Sequence, residues 1–259
     1  MSITPRPRHY EGTIPQNYKL IGTSARFNTP LHTLVDVTAG IDTDEVSEYL
    51  QEQKFDILHF QEPWVPDLGR QLLSRSSSLN IATFHAALPP TAMSRSIERV
   101  AVPYTRSALK YLDRLTAVSD AAAAYVTSLS SAPITLIPNG INLSTYTAPK
   151  VRPVNQKKRI VHVGRLEKRK GVRYLIEAVR YLQNWNHEVS LVIAGDGPLR
   201  EQLVEYARDQ GVEAEFLGYI SEEQKVELLQ TSDLFVSAAI HGESFGIVLL
   251  EAMACGIPI

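Results

Sequence analysis

From residue 42 onward the sequence alternates short β-rich runs with longer amphipathic segments, and this alternation restricts the fold more than any other feature. The strand-like runs are DILHF (56–60), IATFH (81–85), LTAV (115–118), ITLI (134–137), RIVHVG (159–164), VSLVIAG (189–195), EFLG (215–218) and DLFVSA (233–238). Helical segments are predicted between them at 43–53, 66–78, 93–113, 120–129, 172–184, 198–210, 222–231 and 245–255. Ser119 and Ser221 stand where a side-chain oxygen would cap the following helix. Strands of nearly continuous Val, Ile, Leu and Phe predict an α/β fold of doubly wound parallel sheets, covered by helices on both faces.

At about 150 residues per domain, 259 residues suggest two domains. The alternation pauses over LSTYTAPKVRPVNQKK (143–158), so the expected division is a first domain at 1–145, a linker at 146–158 and a second domain at 159–259. Two such domains are expected to face a cleft bordered by the C-terminal edges of their strands. Both are expected to be incomplete. GIPI reads as a strand just beginning, and the first 40 residues give only weak strand signals where a first βαβ unit would belong.

Composition removes several classes of function. A single cysteine, Cys255, excludes a disulfide scaffold, and its place at a helix end in MACG favours burial over reactivity. A net charge of -2 argues against general nucleic-acid binding. The polar start MSITPRPRHYEG lacks the apolar run of a signal peptide, and the sequence holds no run of 18 or more apolar residues of the kind that spans a membrane. A cytoplasmic protein is expected.

Three stretches carry chemistry. GRLEKRKG (164–171) lies between a strand and a helix and offers Arg165, Lys168, Arg169 and Lys170 either to a diphosphate or simply to solvent. GDGP (195–198) is not a dinucleotide fingerprint, because Arg200 stands where the third glycine is required; Pro198 in the first turn of a helix is a sufficient reason for it. HGESFGIVLLEAMACG (241–256) places Glu243 before a helix and Glu251 eight residues later. On a continuous helix these carboxylates would stand about 12 Å apart along the axis, too far for a glycosidase pair at about 5–9.5 Å. Two grips on one elongated ligand fit better, with Glu251 on ribose hydroxyls or an Arg, unless it is an ordinary exposed glutamate. The strand-end His85 lies at the ligand-binding edge and reads as either structural or catalytic, whereas His59 reads as packing.

Charge is also distributed unevenly. Residues 36–67 hold nine acids and one Lys, whereas 68–119 hold seven basic residues and two acids. On the 93–113 segment Arg95, Arg99, Arg106 and Lys110, continued by Arg114, share one arc opposite Ile97, Val100, Tyr104, Ala108 and Tyr111. Such a helix is either a solvated surface or a face for an anionic membrane.

Together the Glu243–Glu251 E-x7-E motif, VGRLEKRKG, IAGDGPLRE, FLGYISEEQK, IPNGIN, LTAVSD and ATFH resemble the retaining GT-B glycosyltransferases of family four. ESFGIVLLEAMACG, HFQEP and the Asn28 region are most similar to the phosphatidylinositol mannosyltransferases. The resemblance implies a sugar-nucleotide donor, GDP-mannose, and a lipid or polyol acceptor; a UDP-sugar donor or a non-catalytic nucleotide-sugar module are the alternatives. It implies that Arg165 and Lys170 hold the diphosphate, Glu251 the ribose, and Glu243, Phe245 and Gly246 the sugar and phosphates. Ile220 and Lys225 would lie beside the nucleotide, His85 near the reacting sugar, and Asn28 at an inositol headgroup. Transfer would retain configuration without an enzyme nucleophile. No tightly bound cofactor and no metal site are expected, with a divalent cation left as an alternative.

Overall fold

A computed structural model describes residues 1–6, 13–28, 34–62, 68–86 and 102–259, with the backbone alone for 25–28, 34–37 and 39. The chain divides into two compact units, Met1–Pro138 and Asn139–Ile259.

The first unit contains two sheets. Strands β1 (Ser2–Arg6), β2 (Tyr18–Asn28) and β3 (Leu34–Ala39) form one, with β1 parallel and β3 antiparallel to β2. Sequence periodicity was too weak to predict these strands. Their backbone ladder supplies hydrogen bonds whatever the side chains, and among described side chains only Ile21 and Thr38 in them are fully buried. The second sheet is all parallel, in the order β4 (Ile57–Gln61), β5 (Leu79–Phe84), β6 (Arg114–Ala117), β7 (Ile134–Leu136). Its core comprises Leu58, Phe60, Ala82, Phe84, Leu115 and Ala117. Helices α1 (Thr43–Gln53), α2 (Leu68–Arg75), α3 (102–109) and α4 (Asp120–Thr127) connect the strands. Asp42 caps α1 and Ser119 caps α4, each through backbone N–H groups that the helix leaves unpaired.

The expected 93–113 helix ends earlier among the described residues. Arg114 opens β6, so it belongs to a sheet and not to the basic arc. Arg106 and Lys110 are exposed, opposite buried Thr105 and Ala108, whereas Arg95 and Arg99 lie outside the described residues.

The second unit has one parallel sheet, ordered β10 (Ala214–Gly218), β9 (Val189–Ala194), β8 (Lys158–Val163), β11 (Leu234–Phe235). Alternation within strands separates two cores. Ile160, Leu191 and Ile193 pack with Leu175, Ile176 and Val179 of α5 (Val172–Asn184) and Leu203 and Ala207 of α6 (Arg200–Asp209). Val161, Val192 and Ala194 face the opposite way, toward Leu228 and Leu229 of α7 (Glu222–Thr231) and Ala252 of α8 (Ile247–Ala254). A sheet buried on both faces explains why its strands read as continuous apolar runs.

The stretch expected as a linker is anchored on this second unit. Tyr146 is buried in its core, and the Arg152 guanidinium donates to the carbonyls of Leu229, Gln230, Ser232 and Cys255. Proline and basic residues signalled irregular backbone, which it is. They did not signal that one arginine satisfies four carbonyls.

Ser221 completes a capping box: its hydroxyl accepts from the Gln224 N–H while the Gln224 side chain accepts from the Ser221 N–H. Ser221→Ala is expected to lower unfolding free energy by about 0.5–2 kcal/mol in chemical denaturation, with the slope against denaturant unchanged.

Candidate functional site

The order of the second sheet creates a switch point. From β8 the chain proceeds through β9 to β10 on one side and then places β11 on the other, so the loops after β8 and β11 diverge from adjacent strand ends. Open parallel sheets bind ligands in such a crevice.

Close backbone approach shapes it. A Cβ on Gly195 would lie 1.9 Å from the Gly164 carbonyl oxygen, and one on Gly171, at φ 62°, would lie 2.1 Å from that of Ala238. A Cβ on Gly197 would stand 2.7 Å from the Leu166 carbonyl oxygen. GDGP therefore serves the neighbouring loop: α6 begins only at Arg200, and Pro198 lies in the turn before it. The loops are tied by Leu166 N–H donating to the Asp196 carbonyl (2.9 Å), Leu199 N–H to that of Leu166 (3.1 Å) and Ile240 N–H to that of Arg169 (2.9 Å).

Within this frame Glu167 is only 4% exposed, and its carboxylate pairs with Arg165 at 3.0 Å and Arg169 at 2.9 Å. A buried carboxylate needs such compensation, and the pairing holds both guanidinium groups in place. Sequence reasoning passed over Glu167; the only signal was an acid among four cations.

Both acids of the E-x7-E motif also meet lysines. Lys170 Nζ contacts Glu243 at 2.5 Å, and Lys225 Nζ contacts both Glu251 oxygens at 2.9 and 3.0 Å. Glu251 is 6% exposed, so the exposed-glutamate reading fails. Burial alone would lower the Lys225 ammonium, but hydrogen bonds to Glu251 and Glu222 outweigh it and raise the group above its ordinary value. The helix starts only at Ile247, after Gly246 at φ 77°, so helical spacing does not run from Glu243 to Glu251. Phe245 and Gly246 are half-buried at the start of α8, and Ile220 packs against the α7–α8 core. Cys255 is buried, and burial raises its thiol.

Beneath the loops lies His162, 2% exposed, with Nδ1 2.9 Å from the Val236 carbonyl oxygen and Nε2 without a hydrogen-bond partner among the described residues. Burial lowers its imidazole, the Val236 contact opposes that, and the Lys170 charge lowers it further. No sequence signal distinguished this residue from its apolar neighbours.

In the first unit His85 follows β5. Its ring Nε2 is 2.5 Å from Gln61 Oε1, and its N–H donates to the Glu62 carboxylate, as does that of Ala86. His59, expected to pack, instead has Nε2 2.7 Å from Thr83 Oγ1. Asn28 ends β2 opposite Leu34, and its side chain is not among those described. Among the described residues no group of three His, Cys, Asp or Glu side chains could hold a metal.

Two family models match the chain: Glycosyltransferase Family 4 over residues 17–145 and Glycosyl transferases group 1 over residues 147–259. The chain belongs to the family-four glycosyltransferases. This family-four chain is 31% identical over 215 residues to the phosphatidyl-myo-inositol mannosyltransferase of Mycolicibacterium smegmatis (strain ATCC 700084 / mc(2)155), covering 82% of the chain and 54% of that relative. It is 34% identical over 221 residues to the enzyme of the same name from Propionibacterium freudenreichii subsp. shermanii, covering 83% of the chain and 54% of that relative. The chain thus spans about half the length of these curated relatives. Sucrose-phosphate synthase from Thermosynechococcus elongatus superposes with a TM-score of 0.74 at 18% identity, over 99% of this chain and 69% of that one. S. aureus TarM gives 0.67 at 16%, over 88% and 45%. These likenesses place the fold among GT-B glycosyltransferases: α/β, with parallel sheets in two domains.

The lowered His162 imidazole has a consequence for stability. A histidine that resists protonation in the fold contributes fully above its unfolded value of about 6.5, and that contribution is lost as pH falls from there through the lower folded value. Unfolding free energy is expected to decline on acidification below about pH 6.5, and His162→Gln is expected to flatten that decline in denaturant titrations at several pH values.

Proposed function

We propose that the chain forms the core of a retaining hexosyltransferase that moves mannose from GDP-mannose to a lipid-linked or polyol acceptor such as phosphatidylinositol. The observation that carries this reading is the pairing of both motif carboxylates with Lys170 and Lys225, beside Arg165, at the switch point of the second sheet. The relatives named above, at 31% and 34% identity, support mannose and the inositol lipid. The first unit is the acceptor side and the second the donor side.

The chemistry follows from charge. A donor diphosphate brings negative oxygens to Arg165 and Lys170; Lys170 then exchanges the Glu243 carboxylate for phosphate, leaving Glu243 to accept from sugar hydroxyls. Phe245 and Gly246 present backbone N–H groups to the sugar and phosphates at the start of α8. Glu251 takes ribose hydroxyls, with Ile220 and Lys225 beside the nucleotide. As the bond from the anomeric carbon to the diphosphate breaks, its electron pair goes to the leaving oxygen, where Arg165 and Lys170 stabilise the charge. The acceptor hydroxyl oxygen forms the new bond to the anomeric carbon, and its proton passes to the departing diphosphate oxygen. His85 acts at the reacting sugar and Asn28 at the inositol headgroup. The reading includes no resident cofactor and no metal, and it places the protein in the cytoplasm, peripheral at the inner face of the membrane. No described helix is long and apolar enough to cross a membrane.

GDP-mannose is expected to raise the melting temperature more than UDP-glucose or UDP-N-acetylglucosamine does; equal or reversed shifts would remove the mannosyl assignment. Arg165→Ala and Lys170→Ala should each weaken donor binding by about 1.5–3 kcal/mol in calorimetry, because each loses a charge-assisted contact. Unchanged affinity in both variants would return the loop to a solvated turn.

The membrane reading is tested at the described part of the basic helix. Each cation near an anionic surface contributes about 1 kcal/mol, screened over about 8 Å at physiological salt. Arg106→Glu with Lys110→Glu is expected to reduce sedimentation with phosphatidylinositol vesicles and to leave donor affinity intact. Sedimentation indifferent to both salt and charge reversal would make this an ordinary solvated face.

A further inference from the structure

A chain of polar side chains crosses three strands of the first unit. Thr116 Oγ1 on β6 lies 3.1 Å from the Ala82 carbonyl oxygen and 2.6 Å from Thr83 Oγ1 on β5. Thr83 Oγ1 is 2.7 Å from His59 Nε2 on β4, which is 3.3 Å from the Gln61 side-chain nitrogen. The other end of the Gln61 amide is 2.5 Å from His85 Nε2. Thr83 and Thr116 are buried, so their hydroxyl protons must be shared within the chain.

Proton counting constrains both rings. Each hydroxyl has one proton, each neutral imidazole has one N–H, and an amide has a donor end and an acceptor end. Gln61 bridges the Nε2 atoms of His59 and His85. If its NH2 faces one of them, that Nε2 must accept; its carbonyl then faces the other, which must donate. We propose that Gln61 is a positioning residue that couples these histidines, forcing them into opposite tautomers.

The hydroxyls choose the direction. With Thr116 donating to the Ala82 carbonyl, Thr83 donates to Thr116 and accepts from His59, which therefore carries its proton on Nε2. Gln61 then turns its carbonyl to His59, where at 3.3 Å it shares the one Nε2–H with the closer Thr83 hydroxyl, and its NH2 to His85, an exchange of amide O and N that leaves heavy-atom positions unchanged. His85 is left with its proton on Nδ1. Glu62 is the charged group beside it: its backbone, at φ 50°, is in the left-handed region, and its carboxylate accepts from the His85 and Ala86 amides. Backbone and ring of His85 are thus held by consecutive residues at the end of β4.

This proposal rests on the reading of His85 as a transfer-site residue only for its consequence in catalysis; the tautomers are measurable without donor or acceptor. Ring-nitrogen NMR of the 15N-labelled chain distinguishes Nδ1–H from Nε2–H imidazoles at about pH 8, where unperturbed histidines are neutral. With seven histidines, His59→Gln and His85→Gln assign the two signals by loss. The expected result is Nε2–H at His59 and Nδ1–H at His85. In Gln61→Glu a carboxylate can only accept, so His85 is expected to move to the Nε2–H form and match His59. In Gln61→Ala the His85 signals are expected to move away from the parent Nδ1–H pattern. Matching tautomers in the parent chain, or His85 signals unmoved by both substitutions, would overturn the coupling.

Discussion

Three loops meet at the C-terminal end of β8 with backbone against backbone, and the second unit is organised around that crowding. Gly164 and Gly195 approach so closely that no side chain fits between them, and Gly171 is equally confined against Ala238. The backbone hydrogen bonds among Leu166, Asp196, Leu199, Arg169 and Ile240 depend on this approach. Because the loops are held by their backbones, the side chains they carry are left to deal with charge.

Charge in that crevice is balanced locally. Glu167 offsets Arg165 and Arg169, Glu243 offsets Lys170, and Glu251 with Glu222 offsets Lys225. Removing one member of a buried pair leaves an uncompensated charge, which costs about 3–5 kcal/mol. The crevice therefore keeps its cations in place through carboxylates, and some of these contacts stay open to solvent. Lys170–Glu243 is such a contact, since Glu243 retains a third of its side-chain exposure while Glu251 retains 8%.

The first unit uses a different economy. Its strand-end histidine meets the neutral Gln61 amide, which leads on to a second imidazole and two threonine hydroxyls, with one carboxylate spent on backbone amides. Neutral groups of this kind orient a ring by counting protons.

The order of apolar runs and amphipathic segments determined by itself that the chain forms parallel sheets with helical cover, because alternate burial on two faces demands those residues. The cations of GRLEKRKG and the pair Glu243 and Glu251 stood out as candidate site residues, since charge types are visible in a sequence. Only the tertiary structure decided the partners: which lysine meets which glutamate, why GDGP needs its glycines, and that Arg152 binds four carbonyls. It also decided the fate of residues 2–39, whose strands are joined by backbone hydrogen bonds that leave no periodic mark. Buried His162 and the chain from Thr116 to His85 were illegible for the same reason: each joins residues from separate strands, and a strand's neighbours are set by topology.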